Sequence, residues 1–407
     1  MPNRQPGFTN MSNPPKVPEV GVIALVADRW GEEWMSRHQI LTRLAKYFHV
    51  VWVNPPPNWQ QALTRVKENN KDSARLPPGF HVYEADPWLP NFYRPRFLAD
   101  FTFRKRLERA RDVLVRKGCR KIVLYIWRPE YHRSLDVVRF DLSCYHVVDE
   151  YSFCEVESPN SKDELKLLER VDQVFVHTQA LFEKKGQLSR NISVVPNGVS
   201  FMEFSTPVPE PASLARIPHP RIGYAGYLKK TLDWNLLLDL SKKHAEYSFV
   251  FVGAQMHQNQ LALVLQELSS RSNVYFLGPV TTLQMPHYAQ HFDVCIMPYV
   301  LNDYTNYIYP LKLHEYLASG RPVIASPTRL LKEFDGTIQL CRNSDDWSSA
   351  ISMALQPEAN SAEARKARQE VAKRHDWDTI VRGIVRTFCR NLGPQYEQLT
   401  DQAGLPG

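Results

Sequence analysis

Short apolar runs, almost unbroken, recur along this chain, and each is separated from the next by a stretch long enough to be an amphipathic helix. The runs at 20–27 (VGVIALVA), 50–53 (VVWV), 122–126 (IVLYI), 143–148 (SCYHVV), 173–177 (QVFVH) and 192–195 (ISVV) lack the in–out alternation of a strand with one wet face. Strands buried on both faces read this way, and parallel sheets covered by helices are where such strands occur. Helices are expected over 34–47, 98–117, 161–170 and 178–187, between these strands. The pattern predicts a doubly wound α/β domain.

The alternation is then interrupted and restarts. Five prolines fall between 207 and 220, which reads as a linker or boundary. Strands follow at 221–225 (RIGYA), 247–252, 273–276, 293–297, 322–325 and 337–340, with helices at 232–245, 258–269, 282–291 and 310–319 and three more closing the chain. The expected organisation is a flexible tail over 1–19, a Rossmann-like domain over 20–205, a proline-rich linker over 206–220 and a second Rossmann-like domain over 221–375. A helix over 376–395 and a tail over 396–407 complete it. Ligands of such sheets bind beyond the carboxyl ends of the strands, so two facing sheets put the natural site in the cleft between them.

Composition narrows the function classes. At 407 residues and 43% hydrophobic, the chain can bury large cores without covalent staples. Its six cysteines form no CxxC pair and read as small hydrophobes in a reducing compartment. No apolar run is long enough to span a bilayer, and the first 19 residues hold five prolines and no apolar block, so no signal peptide is expected. The expected location is cytoplasmic, at the inner face of the plasma membrane if the next feature docks there.

Residues 101–121 carry nine bases against two acids, an excess equal to the +7 of the whole chain. Phe103, Leu107, Ala110 and Leu114 share one helical face there. One reading is a basic amphipathic helix that docks on an anionic membrane surface or a charged acceptor; the other is a solvated helix face on a Rossmann-like layer.

The segment Tyr307-Ile-Tyr-Pro310-Leu311-Lys312-Leu-His-Glu315-Tyr-Leu-Ala-Ser-Gly320 concentrates the chemistry. Pro310 is a good first helical residue and Gly320 a good stop. A helix N-terminus offers free N–H groups and a positive dipole end suited to a diphosphate. Lys312 adds a cation one turn in, and Glu315 shares its face at i+3, where a carboxylate can accept from two ribose hydroxyls. Gly223-Tyr-Ala-Gly226-Tyr227-Leu-Lys229-Lys230 reads as a strand-to-helix turn where backbone can approach phosphate. Asp149 and Glu150 end the strand at 143–148, Arg128 follows that at 122–126, and Asn54 follows that at 50–53; all three positions are cleft candidates.

The stretch PLKLHEYLASGRPVIAS, with VFVHTQALFEKK, ISVVPNGVSFMEF and RIGYAGYLKKTLDW, resembles the GT-B glycosyltransferases. The nearest group is glycosyltransferase family four, in particular its bacterial cell-surface polysaccharide members of the teichuronic-acid type. The resemblance implies two Rossmann-like domains facing a cleft and a C-terminal helix returning to the N-terminal domain. It implies a nucleotide diphosphate sugar as donor, with a UDP-sugar favoured, and a saccharide or lipid-linked acceptor. Glu315 matches the second glutamate of the family's Glu-x7-Glu motif, which holds the donor ribose. Tyr307 stands where the first would be, as in a related glucuronosyltransferase group that lacks it, and Lys312 matches a phosphate-binding lysine. Asp149, ahead of Glu150, holds the strand-end place of the residue that contacts the reacting sugar or takes the acceptor proton.

Other signatures are absent: no GxxxxGK[ST], no GxGxxG after the first strand, no GxSxG and no HExxH. Asp376-Trp-Asp378 imitates a metal-binding DxD, but it opens the last long helix, where Asp378 reads as an N-cap. No metal and no cofactor are expected, nor is nucleic acid. A nucleotide-sugar epimerase or hydrolase on the same fold, and a non-catalytic assembly partner, stay open beside the transferase reading, as does retention against inversion.

Overall fold

The computed structural model of the chain describes residues 13–31, 34–56, 76–86, 88–92, 94–150, 162–255 and 261–402. They fall into two compact units: residues up to Val195 together with those from Asp378 onward, and Pro196–Trp377.

The first unit holds a seven-stranded sheet of β1 (Val20–Leu25), β2 (His49–Val53), β3 (Phe80–Tyr83), β4 (Lys121–Ile126), β5 (Leu142–Val147), β6 (Gln173–Val176) and β7 (Ile192–Val194). Their order is β3-β2-β1-β4-β5-β6-β7, with every pair parallel. The strands β1, β5 and β6 are buried along their whole length, as their unbroken apolar runs require. The strand β3 escapes the sequence pattern because FHVY is four residues long and mostly half-buried at a sheet edge. Helices of this part are α1 (Ser36–Leu44), α2 (Arg96–Arg116), the single turn α3 (Ser134–Val137), α4 (Lys162–Arg170) and α5 (Gln179–Lys185).

The second unit holds β8 (Arg221–Ala225), β9 (Ser248–Val252), β10 (Val274–Phe276), β11 (Val294–Met297), β12 (Val323–Ala325) and β13 (Gln339–Leu340). The order is β10-β9-β8-β11-β12-β13, again all parallel. Its helices are α6 (Phe201–Ser205), α7 (Trp234–Lys243), α8 (Ala262–Ser269), α9 (Met285–Ala289), α10 (Leu311–Ala318), α11 (Ser344–Ala354) and α12 (Ala362–Lys373). The proline-rich stretch 206–220 packs within this unit: Leu214 and Ile217 are buried in its core, and Arg221 pairs with Glu210. The change of unit therefore falls at Pro196, ahead of those prolines.

The chain ends with α13 (Trp377–Leu392) and α14 (Pro394–Gln402), the latter where a tail is expected. Val381, Ile384, Val385, Phe388 and Cys389 of α13 are all fully buried, one stripe at helical spacing. The Phe388 ring lies 6.2 Å from Phe48, 5.3 Å from Tyr125 and 6.1 Å from Phe175, which fastens the returning helix to the seven-stranded unit.

Each sheet has a switch point, β1/β4 in the first and β8/β11 in the second, where successive strands are laid down in opposite directions. Beyond the carboxyl ends of strands at such a point, connecting loops diverge and leave a crevice for a ligand.

Candidate functional site

In the six-stranded unit the two loops at the switch point are stitched together. After β11, Val300 N donates to Thr231 O at 2.9 Å, and Asp233 N donates to Pro298 O at 2.7 Å. The β11 loop then runs to Pro310, which occupies the N-cap of α10 with an extended backbone (φ −74°, ψ 121°), so the helix starts at Leu311, one residue later than the sequence reading. No side chain caps this end. The first N–H groups of a helix have no intrahelical partner, so those of α10 are left to whatever binds there. Gly320 closes the helix in a left-handed conformation (φ +73°), as expected of a C-terminal stop. Behind the N-terminus, Tyr309 Oη and His314 Nε2 are 2.8 Å apart, and Asn197 donates to Tyr309 O at 2.9 Å.

Lys312 leaves the first turn of α10 toward the end of β8. Its ammonium stands over the Tyr224 ring, 5.1 Å from the centroid. It lies against Gly226, whose Cα carries no side chain to obstruct it: a Cβ there would meet Lys312 Cε at 2.0 Å and Nζ at 2.3 Å. Gly226 has φ +144° and donates to Val252 O at 2.7 Å, and Gly253 packs directly on its carbonyl. Only glycine meets both demands at this turn.

Two tyrosines complete the floor. Tyr224 Oη donates to Tyr227 O at 3.1 Å, and Tyr299 lies beside it. Burial pushes both phenols far above their ordinary range, and Tyr299 lies in the field of Lys312 and Glu315 together. Glu315 is half-buried, and no described side chain forms an ion pair or hydrogen bond with its carboxylate. Its pKa is raised, first by burial and also by Glu203, while Lys312 opposes the rise. An uncapped helix end, a positioned ammonium and an open carboxylate thus lie within the first turns of α10, an arrangement that can take a phosphate at one end and a diol at the other.

The remaining predicted residues are distributed as follows. Leu311 opens α10 and Tyr307 is half-buried in the turn before it. Tyr227 carries the Lys229 ammonium 5.3 Å from its ring, and Lys229 and Lys230 are both exposed. In the seven-stranded unit, Asp149 is half-buried just past β5 and accepts from Glu150 N at 2.9 Å. Glu150 is buried, with its carboxylate 3.4 Å from both Lys184 and Lys185; Lys185 also pairs with Glu164 at 2.8 Å. Arg128 pairs with Glu130 at 3.1 Å. Asn54 is buried as well; it accepts from Trp30 N at 2.7 Å and Trp52 Nε1 at 2.9 Å and donates to Glu84. That bonding is of the structural kind.

One correction concerns Asp378. It does not cap α13, because Trp377 already belongs to the helix. Its carboxylate instead pairs with Lys46 at 2.6 Å and Arg43 at 3.4 Å, while Asp376 accepts from Phe201 N at 3.1 Å. Sequence reasoning missed Tyr224, Tyr299 and Gly253. The signal for Gly253 was legible, since a glycine directly follows an apolar strand that neighbours β8. The two tyrosines looked like ordinary core.

Residues 219–356, which hold this whole cluster, match the family described as Glycosyl transferases group 1. The chain is 26% identical over 235 residues to TuaH of Bacillus subtilis (strain 168), a protein provisionally named a teichuronic acid biosynthesis glycosyltransferase. That alignment covers 55% of this chain and 58% of TuaH, so the chain spans little more than half the length of that relative. Among solved structures, the E. coli structure described as trehalose-6-phosphate bound with UDP-2-fluoro glucose is similar with a TM-score of 0.63 at 13% identity, covering 92% of this chain and 98% of the other. A single-residue mutant of S. aureus TarM, solved with UDP, fondaparinux and α-GlcNAc-glycerol, gives 0.50 at 15% identity over 67% of this chain and 55% of its own. Residues 219–356 thus carry a glycosyl transferase group 1 domain, within a chain that has the two-sheet architecture of the GT-B glycosyltransferases.

Proposed function

We propose that the chain is a glycosyltransferase that moves a sugar from a nucleotide diphosphate sugar to a saccharide or lipid-linked acceptor in cell-surface polysaccharide synthesis. The observation that carries this reading is that the uncapped α10 N-terminus, Lys312 and the open Glu315 carboxylate belong to the first turns of one helix, with Lys312 laid against Gly226. In this reading the diphosphate lies against the helix end and Lys312, and the ribose hydroxyls donate to Glu315. UDP is the favoured nucleotide, in keeping with the UDP and UDP-sugar named for two fold neighbours. The teichuronic acid name of TuaH supports the polysaccharide setting.

The chemistry follows from where charge develops. As the glycosidic bond to the donor breaks, negative charge accumulates on the departing diphosphate. Donors already aimed at that position stabilise the transition state more than the ground state, with no reorganisation at the moment of reaction. The helix end and Lys312 supply the compensating positive charge from the protein itself, so the reading is metal-independent. Asp149, half-buried at the carboxyl end of β5, is assigned the acceptor side, where a carboxylate can take the hydroxyl proton as the new bond forms.

Isothermal calorimetry with UDP, GDP, ADP and CMP tests the reading. The expected result is binding of UDP above the others, weakened about tenfold or more in Lys312→Ala and in Glu315→Ala, since hydrogen bonds to charged groups contribute about 1.5–3 kcal/mol. Binding of no nucleotide, or binding indifferent to both substitutions, would overturn it and favour the non-catalytic assembly partner.

A further inference from the structure

We propose that the N-terminal half of α2 is a docking surface for an anionic lipid bilayer. The 101–121 stretch owes its basic balance to side chains most of which the fold itself uses. Arg106 is buried and donates to Leu89 O and Pro90 O, both at 3.0 Å. Lys105 pairs with Glu108, Arg109 with Asp86 and Lys121 with Asp141, while Arg111 donates to Arg139 O at 3.2 Å. The charge run is therefore not itself the docking element.

At the start of α2, overlapping the first residues of that stretch, the exposed groups are of another kind. Phe97 is 69% exposed and Phe101, one turn on along the same face, is 51% exposed. Arg94, Arg96 and Arg104 are exposed around them and have no ion pair with any described residue. The nearby acid, Asp100, is neutralised by Arg133. Trp88, in the segment leading into α2, is 57% exposed with the Arg109 guanidinium 4.6 Å over its ring. Large aromatics held in water beside unpaired arginines are not explained by the fold they sit on.

The charge and shape complementarity favour a bilayer. Aromatic rings rest at headgroup depth, and guanidinium groups meet lipid phosphates there. An exposed helix face with two phenyl rings and flanking cations matches shallow interfacial insertion. None of the helices is long and apolar enough to cross a membrane among the described residues. If the acceptor is lipid-linked, as the proposed function allows, a peripheral surface of this kind brings the chain to it.

The test is co-sedimentation of the full chain with vesicles of phosphatidylcholine alone or mixed with phosphatidylglycerol. We expect binding to the mixed vesicles about tenfold or more tighter than to the neutral ones, weakening as salt rises. Phe97→Ser with Phe101→Ser should lower binding about tenfold or more at low salt. Arg94→Gln with Arg96→Gln and Arg104→Gln should lower it similarly and flatten the salt dependence. Thermal midpoints of both variants within a few degrees of the parent establish that they fold, and UDP calorimetry on the parent reports separately on the donor site. Absence of binding to mixed vesicles, equal binding to neutral ones, or variants that bind like the parent would each overturn the proposal. Capture of the parent by an acidic peptide but not by vesicles would also overturn it, in favour of a protein partner.

Discussion

Lys312 stands in the first turn of α10 and Gly226 in the turn after β8, and the lysine's terminal carbon and nitrogen fill the space where residue 226 would carry a side chain. The gap is small: a Cβ at 226 would sit 2.0 Å from Lys312 Cε, well inside van der Waals contact. The position also holds φ +144°, which residues with a Cβ rarely adopt. Gly226→Ala is therefore expected to displace the ammonium from above Tyr224 and to strain the turn. Calorimetry should show UDP affinity reduced about tenfold or more, comparable to Lys312→Ala, and the Gly226→Ala/Lys312→Ala pair should be less than additive. Full additivity would mean that the two residues act on the ligand independently.

Tyr224 supplies the ring on which that ammonium rests, at 5.1 Å. Cation–π contacts are worth about 0.5–2 kcal/mol, depending on desolvation. Tyr224→Phe keeps the ring and should leave nucleotide affinity within about threefold of the parent, whereas Tyr224→Leu should weaken it by roughly 3–30-fold. If Phe and Leu weaken binding equally, the hydroxyl's bond to Tyr227 O matters and the ring does not.

Glu315 gives the site a pH dependence of calculable sign. Burial raises its pKa above the ordinary glutamate value of 4.5. Only the ionised form accepts from two ribose hydroxyls, so nucleotide affinity is lost as pH falls through that raised pKa and is full above it. The decline should begin at a higher pH than an exposed glutamate would give. Glu315→Gln should bind more weakly at neutral pH and show a flatter profile. An unchanged profile in the glutamine variant would remove Glu315 from the ligand.

How much of this was legible follows from particular residues. The parallel strands were readable because β1, β5 and β6 are buried on both faces and therefore unbroken in sequence. Pro310 and Gly320 bracketed α10 to within a residue, and the i, i+3 spacing of Lys312 and Glu315 put both on one face. Tyr224 and Tyr299 were not legible, because their roles depend on β8 and β11 being neighbours, and those strands lie about 70 residues apart in sequence. Polar residues at strand ends raised the opposite difficulty. Glu150 looks like a cleft carboxylate until Lys184, Lys185 and Glu164 arrive from later helices to surround it. Arg109, Lys121 and Arg106 likewise find Asp86, Asp141 and the carbonyls of residues 89 and 90 only after folding.

Asn54 illustrates the same effect and can be tested. Its Oδ1 accepts from Trp30 N and Trp52 Nε1, and its Nδ2 donates to Glu84, so it ties the loop after β1 to the ends of β2 and β3. Asn54→Ala leaves two donors without their acceptor, each costing about 1–3 kcal/mol where buried. Chemical denaturation should therefore show a loss of roughly 2–6 kcal/mol. Nucleotide affinity measured under folding conditions should be unchanged, because α10 and Gly226 belong to the other unit. A variant of parental stability that loses turnover would restore Asn54 to the acceptor site.

The seven-stranded unit should also be acid-sensitive, and the cause is a set of buried histidines. His38, His146 and His177 are each at most 3% exposed. Burial lowers His38 to about 3 and His177 to about 4, and holds His146 well below its ordinary range, with His177 adding to the effect. In the unfolded chain each takes up a proton near pH ~6.5. Below that pH the unfolded state binds more protons than the folded one, so stability is full above about 6.5 and is lost as pH falls toward the folded values. Each histidine contributes about 1.4 kcal/mol per pH unit in that window, so three together approach ~4 kcal/mol per unit. Domains are stable by only about 5–15 kcal/mol, so tryptophan fluorescence should report unfolding of this unit between roughly pH 6 and 4. His177 meets Val195 O through Nδ1 at 3.1 Å. His177→Gln offers an amide donor toward that carbonyl without the titration, and should reduce the pH slope by about one proton. A stability that stays level from neutral pH to about 5 would show that these histidines are not held neutral by the fold.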